Sequence, residues 1–531
     1  MSGLLLWSSL LPTASPLGSN SPKIDAADRA FASGDLAAVE RICASVLAAT
    51  PSDGRAWKLL TETALLRRRA DAAIVCADRA VALSPDDPIA HILRAKCLFF
   101  LGEAAQAFRA ANAASHIVGS AAQALDALGG IFGLLGFHDR AYELCRRAVV
   151  ARSSEPQYLF NLAATERMIG RLDDAEDHCD AAIALKPRYA LAHYLRSDLR
   201  LQTPDRNHIA EMEGLLRQGR LAPPNEIMLR FALGKEYEDV DLPGHAFDHV
   251  EAGCNQQRSL MSYDAAADAA EIDRIIRTQT RTWLAAVRPG FSGAAPVFVV
   301  GLPRTGTTLV ERIIGSHSAI RSVGEVGAFG TELHRAMKVA SNRLDLEDIG
   351  RRYVNAATAF RVPQDVRFID KTLQNYLHCG LIHRALPAAK IILVQRRALD
   401  ACWAMYKSHF QGMFPFTYQQ TDLAEYYMAF RRLSLHWKET LPPDTFLQIN
   451  YEDVVRDQAA ASRRLIAFVG LAWEDDVLRF HKSPAPSATA SAVQVRRPIY
   501  TSSIGKWQLH AQRLAHLRER LAREIPQAEL A

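Results

Sequence analysis

Val300 to Leu309 read V-G-L-P-R-T-G-T-T-L and follow the short apolar run Pro296-Val297-Phe298-Val299-Val300, which is the order strand, turn, helix start. Gly301 and Gly306 admit backbone angles that side chains disfavour, so the turn can present a row of N–H groups at a helix N-terminus, where anions are held. Arg304 puts a cation inside the turn, and Thr305, Thr307 and Thr308 complete it. A nucleoside-triphosphatase loop would carry lysine where this chain has Thr307. Without that lysine the loop serves a β/γ-phosphate pair with magnesium poorly and a single terminal anion better. Glu325, in Val323-Gly324-Glu325-Val326, lies twenty-one residues after Arg304. A carboxylate there can take a proton from an attacking hydroxyl if partial burial raises its pKa, or it can simply close a turn.

P-R-T-G-T-T followed by Glu325 in G-E resembles the donor-binding loop and catalytic glutamate of sulfotransferases that use 3′-phosphoadenosine 5′-phosphosulfate (PAPS), with the tyrosylprotein branch the nearest match. The resemblance implies that Arg304, Thr305, Gly306, Thr307 and Thr308 hold the donor and that Glu325 is the base. It makes Lys371, in Ile369-Asp370-Lys371-Thr372, the cation that bridges the donor sulfate and the leaving phosphate, where fixed charge lowers a group-transfer barrier. Arg396, in Gln395-Arg396-Arg397, matches the family arginine on the 3′-phosphate, but the family serine eight residues later is Ala404 here, with Lys407 or Ser408 as possible substitutes. Tyr451 of Tyr451-Glu452 corresponds to a tyrosine lining the donor pocket. Counting back from Lys506-Trp507 puts Arg497 at a donor-binding lysine position and Ser491 at a serine that stabilises the sulfuryl group. Arginine for lysine keeps the charge and adds bidentate phosphate recognition.

The resemblance runs from about Val297 to Trp507 and implies metal-free, in-line sulfuryl transfer to a hydroxyl. Its branch suggests a peptide or protein tyrosine as acceptor; glycans, small phenols and lipids stay open. Two rival readings stand beside it. One is a kinase or nucleotide hydrolase with a degenerate loop, against which the missing lysine counts. The other is a scaffold whose C-terminal domain binds nucleotide with little catalysis, in whose favour Ala404 counts.

These residues need a sheet to position them. Arg367-Phe368-Ile369, Ile391-Ile392-Leu393-Val394 and Phe446-Leu447-Gln448-Ile449 read as buried parallel strands, separated by amphipathic crossover segments. Such an α/β domain binds ligands beyond the C-terminal ends of its strands, where the motif residues fall. The first half differs. A 34-residue period starts at Gly54 and returns at Pro88, Ala122 and Pro156. Trp57, Leu60, Ala73, Ala77, Ala80 and Pro85 occupy the slots of a tetratricopeptide repeat, as do Leu128-Gly129, Ala141, Cys145 and Ala148 in the third unit and Leu162-Ala163, Ala175, Cys179, Ala182 and Pro187 in the fourth. Weaker units lie near Asn20 and Ile227. Helices that cross at Ala or Cys can approach closely and stack into a solenoid, which serves either as a peptide-binding face or as a dimerisation scaffold.

The expected organisation is therefore a flexible N-terminus (1–19), an α-helical repeat domain (20–260), a helical connector (261–295) and a P-loop-like α/β domain with a central parallel sheet (296–531). Its 531 residues suffice for two or three cored domains. A net charge of +5, from 63 basic and 58 acidic residues, argues against a surface that coats nucleic acid, so any anion preference is local. Eight singly scattered cysteines, no signal-like basic start before Leu4-Leu5-Leu6-Trp7 and no eighteen-residue apolar run together suggest a reducing cytoplasm and no membrane span.

Overall fold

The computed structural model describes residues 22–286, 290–339, 344–359, 367–483, 485–486 and 492–530. The expected flexible stretch 1–19 lies outside them. Between Lys186 and Pro187 the chain divides into two compact units.

The first unit is a succession of antiparallel helix pairs: Pro22–Ala32 with Leu36–Ala49, Gly54–Leu66 with Ala70–Leu83, Pro88–Phe100 with Ala104–Ile117, Ala122–Leu134 with His138–Ala151, and Pro156–Ile169 with Leu172–Leu185. Four of these pairs begin at the residues where the 34-residue period begins. Asp53 and Asp87 help start two of them, each carboxylate accepting from a backbone N–H of the first turn, at Ala56 and Ile89. The small residues of the period are buried, among them Ala73, Ala77, Ala141, Cys145, Ala175 and Cys179. Their reason is visible at Gly129, where a Cβ would stand 2.7 Å from Cys145 Sγ. Successive pairs share one apolar core that runs from Ile92 through Leu128 to Tyr158, as a stacked repeat requires.

The second unit holds a five-stranded, wholly parallel sheet: β1 (Val297–Val300), β2 (Ile320–Gly324), β3 (Arg367–Asp370), β4 (Lys390–Gln395) and β5 (Phe446–Asn450), in the order β2-β3-β1-β4-β5. Alternation sends Val297, Val299, Ile369, Ile392 and Val394 into one core with Val310, Ile313 and Leu465, and Phe298, Val300, Phe368, Ile391 and Leu393 into the other. Both faces are covered, which is why β1 and β4 read as unbroken apolar runs. β2 escaped the apolar-run criterion because it is an edge strand with Arg321 and Ser322 exposed and only Ile320 fully buried. It ends at Gly324, one residue before Glu325.

The helix pair Pro223–Asp239 and Pro243–Ser259, where the weak repeat near Ile227 was expected, packs within this second unit. The pair closes as a repeat does, with a Cβ on Gly234 falling 2.7 Å from Val250 Cγ2. Its outer face meets the helix after β4: Phe247 stacks on Trp403 at 5.5 Å, and the Cys254 thiol donates to Tyr406 O at 3.2 Å. The connector contains helices Ala265–Thr278 and Arg281–Ala285.

Candidate active site

The loop after β1 is shaped by three residues with positive φ. Gly301 (φ 153°) leaves no room for a side chain, since a Cβ would lie 2.6 Å from Val394 O, and its N–H donates to Leu373 O at 3.3 Å. Arg304 adopts φ 65°, a left-handed conformation uncommon for a side-chain-bearing residue, and Gly306 adopts φ 97°. Gly306 is doubly constrained, because the Tyr451 ring packs where its Cβ would be, at 2.4 Å. The helix Thr307–Gly315 starts here with no side-chain cap, so its first N–H groups point out of the loop without an intrahelical partner. Thr305, Thr307 and Thr308 are buried, and Thr305 Oγ1 donates to Leu302 O at 2.7 Å, bracing the turn.

Around this loop the ends of β4 and β5 converge. Arg396, just past β4, donates from Nη1 to Arg304 O at 3.3 Å and from Nη2 to Ser503 O at 2.6 Å, and lies over the Tyr451 ring at 4.9 Å. Its Nε is buried without a hydrogen-bond partner among the described residues. Tyr451, just past β5, pairs its hydroxyl with Ser503 Oγ at 2.7 Å. Glu452 accepts from the Arg397 N–H at 3.0 Å, and Asp400 Oδ2 accepts from the Gly505 N–H at 2.8 Å, so the segment Ser503–Gly505 is bound to the helix that Arg396 introduces. Arg304 Nη2 donates to Gln494 Oε1 at 3.1 Å, and Asp198 and Tyr194 lie within electrostatic reach of the Arg304 guanidinium.

Glu325 and Lys371 each stand one residue past the ends of the neighbouring strands β2 and β3 and form an ion pair. Lys371 is 1% exposed, and its N–H donates to Gly324 O at 2.9 Å. Burial alone would raise the Glu325 carboxyl and lower the Lys371 ammonium; the partner's charge leads the influences that oppose this, and Glu325 lies below and Lys371 above its ordinary value. This corrects the expectation that partial burial raises the base: the carboxylate is partly buried, but beside a cation. Asp370, held by the Tyr353 hydroxyl at 3.1 Å and the Thr372 N–H at 2.8 Å, fixes the strand end that carries Lys371.

The remaining sequence candidates are placed differently. Ala404 is buried, and Ser408 Oγ donates to the Ala404 carbonyl at 2.8 Å, so its hydroxyl proton is used within the helix. Lys407 is ion-paired with Glu238 of the helix Pro223–Asp239. Arg497 is exposed on the segment after the short helix Gln494–Arg496. Ser491 lies outside the described residues. Sequence reasoning missed Ser503, Gln494, Asp400 and Glu238. Ser503 had a weak signal, standing between Arg497 and the Lys506-Trp507 landmark; Glu238 had none. Among the described residues no three His, Cys, Asp or Glu side chains gather as a metal site would need.

Residues 296–475 match the sequence pattern of the sulfotransferase family, and residues 30–97 that of the tetratricopeptide repeat. An uncharacterised protein of Aquifex aeolicus (strain VF5) is 27% identical over 361 residues, which cover 64% of this chain; this chain spans about half of that relative, 47% of its length. Among solved structures, the sulfotransferase domain of the Synechococcus PCC 7002 olefin synthase is 18% identical, covering 45% of this chain and 99% of that one at a TM-score of 0.33. A thermophilic tetratricopeptide protein of Thermus thermophilus is 19% identical, covering 33% of this chain and 96% of that one at a TM-score of 0.31. By these family patterns, residues 30–97 carry a tetratricopeptide repeat and residues 296–475 a sulfotransferase domain.

Proposed function

We propose that this chain moves a sulfuryl group from PAPS to an acceptor hydroxyl, with a tyrosine of a peptide or protein as the acceptor. The observation that carries the reading is the anion cradle at Gly306, where a helix start without a side-chain cap, Arg304, Arg396 with its free buried Nε, and Tyr451 come together. PAPS supplies the sulfuryl group: the acceptor oxygen bonds to sulfur as the bond from sulfur to the bridging phosphate oxygen breaks. Arg304 and the loop N–H groups, with Thr305, Thr307 and Thr308, hold the 5′ end of the donor, and Arg396 holds its 3′-phosphate against the Tyr451 ring. Lys371 steadies the charge that grows on the bridging oxygen. Glu325 receives the acceptor proton, and the neighbouring ammonium keeps it ionised and ready. Arg497 and Ser491 keep the roles their family positions imply, a donor-binding cation and a hydroxyl on the sulfuryl group.

Tyrosine as acceptor is supported by the tyrosylprotein-like order of P-R-T-G-T-T, Glu325 and Lys371 and by repeats of a kind that hold peptides. The array serves in this reading as acceptor dock or dimer contact. All eight cysteines are free, which suits a cytoplasmic setting, and no described helix is long and apolar enough to cross a membrane. A second reading, a scaffold with a catalytically weak nucleotide-binding domain, is favoured by Ala404 standing where the family has serine.

Calorimetric titration separates these readings. Adenosine 3′,5′-bisphosphate should bind and outcompete ATP, and Arg304→Ala should lose about 1.5–3 kcal/mol of that binding. Preference for ATP would overturn the donor assignment. Transfer of labelled sulfate from PAPS to a tyrosine peptide, tested beside a glycan and a small phenol, identifies the acceptor; no transfer to any of them leaves the scaffold reading.

A further inference from the structure

Glu238 lies in the helix Pro223–Asp239, outside the segment 296–475 that matches the sulfotransferase family. Its carboxylate is largely buried, with the side chain 10% exposed, and accepts from the Lys407 ammonium, Oε1 at 2.7 Å, and the Lys506 ammonium stands 3.7 Å from the same oxygen. Both lysines belong to chain segments that the donor cradle already uses. Lys407 closes the helix Ala398–Tyr406 that begins two residues past Arg396, and it is three residues beyond Ala404, hence on the same helix face. Lys506 follows Ser503 and Gly505, which are held by Arg396, Tyr451 and Asp400. The Lys407 ammonium also sits 5.7 Å from the centre of the Trp403 ring, and the Arg304 guanidinium is close enough to disfavour its charge.

Lysine carries its charge on a flexible four-carbon stem, and two neighbouring ammoniums, one of them near Arg304, would repel one another into solvent. An anion between them removes both problems. Burial alone would push the Glu238 carboxyl up, but Lys407 and Lys506 overrule it and hold it at about 2, so the anion is present at every physiological pH.

We infer that Glu238 is a positioning residue that sets Lys407 and Lys506 as a cation pair at the donor site, recognising the donor's 3′-phosphate where Ala404 provides no hydroxyl. The inference rests on the PAPS reading above and deepens it, because a helix contributed from outside the family segment then completes the donor pocket.

The test compares adenosine 3′,5′-bisphosphate with adenosine 5′-monophosphate, which differ only in the 3′-phosphate, by calorimetry on the full chain. Glu238→Gln should weaken the bisphosphate about tenfold while the monophosphate moves less than about twofold, and Glu238→Asp should restore most of the loss. Glu238→Gln/Lys407→Met/Lys506→Met should bind no more weakly than Lys407→Met/Lys506→Met, because the glutamate acts through the two lysines. If Glu238→Gln does not fold, Glu238→Met/Lys407→Met leaves no unpaired buried ion and carries the same expected loss of discrimination. Equal weakening of both nucleotides, or of neither, overturns the positioning role alone. A wild-type chain that does not take the bisphosphate overturns the donor reading and this role with it.

Discussion

An ammonium buried as completely as that of Lys371 would give up its proton unless an anion lay beside it, and Glu325 is that anion. For the carboxyl, the folded value lies below the ordinary 4.5, so the pairing contributes stability that is present above that pH and lost as pH falls towards the lowered value. For the lysine the folded value lies above 10.5, so its contribution is present below that pH and lost as pH rises through the raised value. In the proposed reaction the base must be ionised, so the acid limb of kcat/KM should lie below the usual carboxylate range. Lys371→Met leaves the carboxyl partly buried and removes the ammonium beside it, and the acid limb should move up by about 1–3 pH units whatever the loss in rate. An acid limb that stays in place would show that Glu325 is not the ionising base. Glu325 and Lys371 were each legible as candidates, from P-R-T-G-T-T, G-E and the strand end before Lys371. Their pairing was not, because 46 residues separate them and no local pattern reports which strand ends lie side by side.

Among the elements, the repeat helices were the most legible, since a 34-residue period of small residues records where one helix must let another approach. Gly129 tests that reason directly. Gly129→Ala should destabilise its helix pair by about 1–3 kcal/mol through the clash with the Cys145 sulfur, and Gly129→Ala/Cys145→Ala should recover most of it. Amide exchange across Ala122–Leu134 reads the effect locally in the full chain. A single variant as protected as wild type would mean that the small-residue slot has slack. Strands were legible where both faces are buried, as in β1 and β4, and illegible in β2, whose exposed Arg321 and Ser322 break the apolar run. That miss bears on the proposed function, because β2 is what carries Glu325 to the sheet's C-terminal end.

At the scale of the whole molecule, the helix pair that resembles a last repeat belongs to the same compact unit as the parallel sheet. A chain that begins at Pro187 should therefore melt cooperatively and bind adenosine 3′,5′-bisphosphate, whereas one that begins at Met261 loses Phe247, Cys254 and Glu238 and should aggregate or bind at least tenfold more weakly, about 1.4 kcal/mol or more. Melting curves and titration of the two decide it, and a Met261 chain that binds like the longer one would show the pair to be dispensable. The sequence alone determined the repeat phase, the phosphate-type loop and the buried strands, because each is written in spacings that local backbone geometry imposes: 34 residues for a helix pair, alternate residues for a strand, glycine where φ is positive. The tertiary structure decided what meets across the fold, such as Arg396 with Ser503, 107 residues apart, and Glu238 with Lys407, 169 apart. Periodicity states which side of an element is buried, while the choice of neighbouring element comes from the packing of all of them at once.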